Sequence, residues 1–378
     1  MAVRRILFAL LAMVALSFSL CVSVSATEAE ISDEILLDIP DRMKEEFSIE
    51  GNDTENNIEE LGNAVVKMSS VEQLFSKLLD ITGVQADGAL KLFLTICALL
   101  MISSVFRTAG SSLDNGALGS AIRFCAVGAL FAIVVYSQYS HFERVEVFFE
   151  SIGEIMRSMI PVTATIWALG GNVGSASVGS SSLYLMLNVS ERLFGVTVIP
   201  VCSIIGVLGL CEAISDEMKT GRLLAAIKKI YGFFLGIVMT ILLSSLALQT
   251  SISASADSTA ARAARMVSGS FIPILGGSIA ETLRTVSGGV AYLKNIFGIG
   301  GILMIFGTLA PIAISMLLTR ITLLITSGLA DLLGCPNESR LLENLGETFG
   351  TMLAVCVSVS VMFILSLCIF IQSVIAVA

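Results

Sequence analysis

Six long apolar runs set the plan of this chain, at roughly 89 to 106, 121 to 139, 193 to 211, 230 to 249, 296 to 318 and 351 to 377. Each approaches the ~20 helical residues that cross a hydrocarbon core of ~30 Å. Lipid offers no partner to open backbone groups, so each run is expected as a helix. Two shorter stretches, 159 to 169 and 270 to 280, are too brief to span and are expected as re-entrant or interfacial pieces packed inside the bundle. The pattern therefore predicts an all-α, polytopic helical membrane protein, with about six transmembrane helices plus these short elements.

Between the second run and Ile160-Pro161, apolar residues recur at helical spacing: Phe142, Val145, Phe149, Ile152, Met156 and Met159. Glu143, Glu146, Glu150 and Glu154 make an acidic stripe on the same helix, which is expected to lie at the interface with a solvated face, or to turn the stripe to a partner or an aqueous path. Residues 170 to 182, GGNVGSASVGSSS, carry no large side chain beyond two valines. They suit either a flexible linker or a re-entrant loop that lines a substrate path.

An internal echo runs through the body. Ile160-Pro161 recurs as Ile272-Pro273 and Pro200 as Pro311, while Arg222-Leu223-Leu224 and Tyr231-Gly232 recur as Arg340-Leu341-Leu342 and Phe349-Gly350. The shifts group units 141–250 and 253–377 as parallel repeats, since an even number of spans separates them. Gly232 and Gly236, like Gly346 and Gly350, stand four apart, a spacing that lets membrane helices pack backbone to backbone. Pro161, Pro200, Pro273, Pro311, Gly276 and Gly277 complete the positions with an expected structural role.

Charge divides the chain. Residues 27 to 88 hold sixteen of the thirty-one acidic residues against four basic ones, Arg42, Lys44, Lys67 and Lys77, a net of 4 − 16 = −12. Ahead of them, Arg4 and Arg5 precede an apolar stretch from Ile6 to about Val22, and Val24-Ser25-Ala26 suits signal peptidase. Cleavage is expected between Ala26 and Thr27, and an uncleaved anchor would export the following residues equally well. The expected organisation is a signal peptide at 1–26, an exported acidic helical module at 27–88 and a polytopic membrane domain at 89–378. The first span then runs inward and the others alternate. The lysine and arginine balance of the loops supports this only weakly.

No catalytic machinery stands out. His141, the only histidine, has no cysteine or carboxylate at ligand spacing and falls at a span end, where it reads as interfacial. The cysteines lie in or beside apolar runs, apart from Cys335, and the exported module has none, so no disulfide framework is implied. The run Gly298 to Gly301 follows no strand and precedes no Lys-Ser or Lys-Thr, which excludes a phosphate loop. Carboxylates are absent from the middles of the spans, which lowers the case for a proton-coupled transporter acting alone. No enzyme activity, cofactor or metal site is expected.

The stretch 261 to 304, ARAARMVSGSFIPILGGSIAETLRTVSGGVAYLKNIFGIGGILM, resembles the most recognisable segment of the stage III sporulation protein AE family. There an arginine-bearing helix leads to a Gly-Asn-Phe-Ile-Pro-like turn, here Gly269 to Pro273 with Ser270 in place of the asparagine. A Leu-Lys-Asn lead-in to a glycine-rich span follows, here Leu293 to Asn295. The Ile160-Pro161 run, the loop Glu217 to Leu224 and the plan of signal, polar module and polytopic body are similar to the family as well. The resemblance implies a noncatalytic membrane subunit of the mother cell to forespore channel in endospore formers, seated in the outer forespore membrane. It also implies partners among the other stage III A sporulation proteins, including an ATPase and ring-forming subunits, with stage II sporulation protein Q reaching the assembly indirectly. The alternative reading is a self-sufficient permease.

Overall fold

A computed structural model of the chain describes residues 40–47, 54–111, 116–214, 220–271 and 276–373. Among them no strand occurs, and nine α-helices follow in order: α1 Asp41–Glu46, α2 Thr54–Met68, α3 Val71–Ser111, α4 Gly116–Leu169, α5 Val173–Ser190, α6 Val196–Ile214, α7 Gly221–Phe271, α8 Gly276–Leu332 and α9 Pro336–Gln372. A π-helical turn, Glu191–Gly195, joins α5 to α6. Among the described residues six stretches are long and apolar enough to cross a membrane: Glu72–Thr108, Phe124–Leu169, Val173–Ile214, Gly221–Thr259, Ser287–Leu332 and Pro336–Gln372. Each overlaps one of the six runs expected from the sequence, so the all-α polytopic class holds.

The helices outrun their apolar cores. The stretch 159–169 is not a separate re-entrant piece but the last part of α4, with Pro161 inside the helix. The stretch 270–280 ends and begins helices at its edges, and its centre, with Pro273, lies outside the described residues. The amphipathic segment after the second run is likewise a continuation of α4. Val145, Phe149, Ile152, Met156 and Met159 are all buried, so this is a core helix rather than an interfacial one. Glu143, Glu146 and Glu150 are exposed, and Glu154 pairs with Arg42, tying α1 to α4. The boundary at 88/89 falls within α3, a change of composition without a break in the helix.

Residues 170–182 are mostly helix. The chain turns only at Gly170-Gly171-Asn172, where the amide of Gly171 donates to the Ala168 carbonyl (3.0 Å) and that of Asn172 to the Trp167 carbonyl (2.9 Å). This is a Schellman stop, which needs the left-handed backbone that Gly171 adopts at φ +76°. The same motif at Gly334, φ +72°, ends α8, and Pro336 starts α9 at once. Past the first turn the serines stay helical by turning their hydroxyls back to carbonyls three or four residues earlier, as Ser177, Ser181 and Ser182 do. From α7, Asp257 accepts hydrogen bonds from the amides of Gly174 (3.0 Å) and Ser175 (2.8 Å) and from the Ser175 hydroxyl (2.9 Å). A carboxylate at a helix N-terminus meets both the free amides and the dipole. Asp257→Ala is expected to cost about 1–3 kcal/mol, because three part-buried donors lose a charged acceptor; thermal unfolding of detergent-solubilised protein, with Asp257→Asn as the milder comparison, measures it.

The core gathers around α9, which packs antiparallel to α8. Register follows from the contacts: Gly298 faces Ile371, Gly301 faces Leu367, Leu323 faces Gly346, and the Arg320 guanidinium covers Gly350. The Gly298–Gly301 run serves as a set of notches cut toward different neighbours. A Cβ on Gly298 would come 2.3 Å from Ile371 Cγ1, on Gly300 2.6 Å from Met43 Cε, and on Gly301 2.9 Å from Leu367 Cδ1 and 3.0 Å from Met159 Cε. Helices α1 and α2 of the acidic module thereby seat Met43 and Val65 on α8. Trp167 lies edge-on to Phe370 (5.2 Å between centroids) and donates to Ser373 Oγ at 2.8 Å. Gly179 sits beneath it: a Cβ there would meet Trp167 Cζ3 at 2.3 Å.

Candidate functional site: a polar layer inside the bundle

His141 is buried, not interfacial. Helix α4 places Gln138, His141 and Arg144 on one face at three-residue spacing, and α8 presents Ser315 and Thr319 one turn apart against them. Ser315 Oγ stands 3.4 Å from His141 Nδ1, and Thr319 Oγ1 stands 3.2 Å from His141 Nε2. Thr319 donates to Gln138 Oε1 at 3.2 Å, and Arg144 Nη1 donates to Ser315 Oγ at 3.1 Å and to Gln85 Oε1 of α3 at 3.3 Å. Phe349 of α9 closes the ring's remaining side at 5.7 Å, edge to face.

With the Thr319 hydrogen going to Gln138, its oxygen accepts from His141 Nε2–H, and a neutral ring takes the Ser315 hydrogen at Nδ1. Arg144 in turn donates to that hydroxyl, so one chain of polar contacts runs from Arg144 through Ser315, His141 and Thr319 to Gln138. His141→Leu leaves the Ser315 and Thr319 hydroxyls each one partner short within the core, and a fall in stability of about 1–3 kcal/mol is expected. Thermal unfolding of the solubilised variant against wild type checks it.

Other polar groups lie near the same level. The Lys228 ammonium of α7 pairs with Glu347 of α9, and Asn344 donates to Glu212 Oε2 at 3.3 Å. Arg320 lies inside α8, because the polar segment between the fifth and sixth spans shrinks to the turn Leu333–Cys335. Nearer that turn, Ser103 of α3 donates to the buried Glu338 Oε1 at 2.5 Å. Burial and the neighbouring Glu338 push the Cys335 thiol up, so it stays protonated. Among the described residues no three His, Cys, Asp or Glu side chains stand together as metal ligands would.

The other positions singled out from the sequence fall as follows. Ala26 and Thr27 lie outside the described residues. Pro200 stands inside α6 within a turn of the π-helical segment, and Pro311 inside α8, one turn before Ser315. A proline there withholds an amide from the ladder. Gly276 and Gly277 open α8. Gly232 and Gly236 are exposed on α7, and a Cβ on either would meet nothing within 4 Å, so they make no close contact inside this chain. The polar chain at His141 escaped the sequence because its partners stand 174 and 178 residues away. The only available signal was that a polar Gln138-x-x-His141-x-x-Arg144 triplet continues the second apolar run at helical spacing.

The sequence model of the family described as stage III sporulation protein AE matches residues 54–374. A curated relative, stage III sporulation protein AE of Bacillus subtilis (strain 168), is 24% identical over 224 residues, which cover 59% of this chain and 56% of the relative. The chain thus spans little more than half of that relative's length. No solved structure matches.

Proposed function

The chain belongs to the stage III sporulation protein AE family, and from that premise we propose that it is a noncatalytic membrane subunit of the channel between mother cell and forespore, required for endospore formation. The observation that carries this reading is the family match over nearly the whole six-span body. The polar side chains of the His141 chain bind one another across helices, as supports of a bundle do, which fits a subunit whose energy comes from elsewhere. In this reading the protein sits in the outer forespore membrane with residues 27 to 88 outside the mother-cell cytoplasm. It assembles with the other stage III A proteins, among them an ATPase and ring-forming subunits, and through them with stage II sporulation protein Q. The units 141–250 and 253–377 are parallel repeats that have diverged in packing: Pro200 and Pro311 both lie inside long helices, whereas Gly350 lies under Arg320 and Gly232 is open.

The competing reading is a permease that works alone. Purified protein in sealed liposomes separates the two. The subunit reading expects no uptake of small anions, cations or amino acids above empty vesicles, and sustained gradient-driven uptake by the protein alone would favour the permease.

A further inference from the structure

Helix α7 turns outward a face that is basic at its start and apolar beyond. From Ile230 to Ala256 it holds no charged residue. Every large apolar side chain that it exposes, Leu223 apart, lies between Ile230 and Ile252. Ahead of that stretch it exposes Arg222 and Lys229, while Lys228 pairs with Glu347 of α9. Among the described residues Arg222 and Lys229 make no ion pair.

Helical spacing joins the two parts. At 3.6 residues per turn, Arg222, Lys229, Gly236 and Thr240 fall within roughly 40° of one another, with Gly232 and Ser244 at the edges of the same strip. Each of these residues is exposed, and a Cβ on either glycine would meet nothing within 4 Å. The Thr240 hydroxyl donates to the Gly236 carbonyl at 2.7 Å, so its hydrogen is held within the helix. Phe233, Ile237 and Ile241 stand along one side as a ridge. The strip is thus a shallow groove with a floor of small residues, and Lys229 and Arg222 stand at its mouth. From Gly232 to Ser244 it runs ~18 Å, close to one leaflet of a hydrocarbon core of ~30 Å.

We infer that this groove seats one acyl chain of an anionic phospholipid, with the lipid phosphate on Lys229 and Arg222. Charge selects the headgroup: two cations side by side attract a phosphate, and the ammonium of a zwitterionic lipid would stand against them. Shape selects the chain, because the two glycines leave open a track along a helix face that carries no charge. The far end offers no second seat. The first charge there is Asp257, an anion already bound to the amides of Gly174 and Ser175. In the proposed topology the basic end of α7 lies on the mother-cell cytoplasmic side, where the leaflet carries anionic lipid. The inference holds equally for a channel subunit and for a permease.

The test uses the full chain in phosphatidylcholine vesicles that hold a trace of phosphatidylglycerol with a photoreactive diazirine in its acyl chain. A matched photoreactive phosphatidylcholine is the reference. The expected result is that the anionic probe labels α7 within 230–249 more heavily than the reference does. In Arg222→Gln/Lys229→Gln labelling should fall to the reference level, and in Arg222→Lys/Lys229→Arg it should persist. Gly236→Leu, which fills the floor of the groove, should also lose the excess. None of these variants should shift thermal unfolding in lipid-free detergent, because each alters an open surface. Equal labelling by the two probes, or an excess that survives Arg222→Gln/Lys229→Gln or Gly236→Leu, would overturn the lipid seat. Removal of the excess by inorganic phosphate would overturn it too, by marking a site for free phosphate.

Discussion

Gly301→Leu should leave little folded protein in the membrane. Gly301 is buried, with Leu367 of α9 on one side and Met159 of α4 on the other. Even a methyl group there would stand 2.9 and 3.0 Å from their terminal atoms. Those atoms end flexible side chains, so Gly301→Ala should be absorbed by small rotations at modest cost. A leucine has no such outlet, since it must push α8 off both neighbours, and overpacking of this kind costs ~1–3 kcal/mol or more. Membrane helices lack the solvent-driven term that would otherwise hold them, so lost van der Waals contact is felt in full. Protein level and thermal unfolding in mild detergent measure it, with wild type above Ala above Leu. Gly236→Leu, on an open face, should stay near wild type in the same unfolding assay.

Deleting the gene should leave vegetative growth unchanged and halt development after engulfment, with late forespore gene expression failing. The proposed conduit acts only once the forespore is enclosed, so its loss has no consequence earlier. A fluorescent reporter on a late forespore promoter, followed cell by cell, reads the stage of arrest. Normal reporter onset in the deletion strain would remove the support for a forespore-directed channel.

How much of this was legible in the sequence differs from feature to feature. The six spans were, because hydropathy over about twenty residues is a local property, and each predicted run overlaps one long helix. The helix ends were not. Polar stretches such as 71–88 and 143–157 read from the sequence as a separate module and an interfacial segment, yet they continue α3 and α4, and the second buries Val145, Ile152 and Met156 in the same core as the apolar half of α4. The turn at Gly171 was hidden within a longer glycine and serine run, and only the left-handed backbone marks which glycine stops the helix. Glycine spacing picks out two pairs, of which Gly346 and Gly350 meet Leu323 and Arg320 of α8 while Gly232 and Gly236 are open, and it gives no sign of the close approaches at Gly179, Gly298, Gly300 and Gly301. Spacing along one helix says which glycines share a face but not what that face meets. The His141 chain was illegible for the same reason, since distant helices supply its partners.

Heat-resistant spore counts decide whether this chain is required for endospore formation. A strain lacking the gene is compared with the same strain carrying the wild-type gene or Gly301→Leu at a second site. Counts are expected to collapse in the deletion strain, return with the wild-type gene and stay low with Gly301→Leu. Equal counts from the deletion and complemented strains would contradict that requirement.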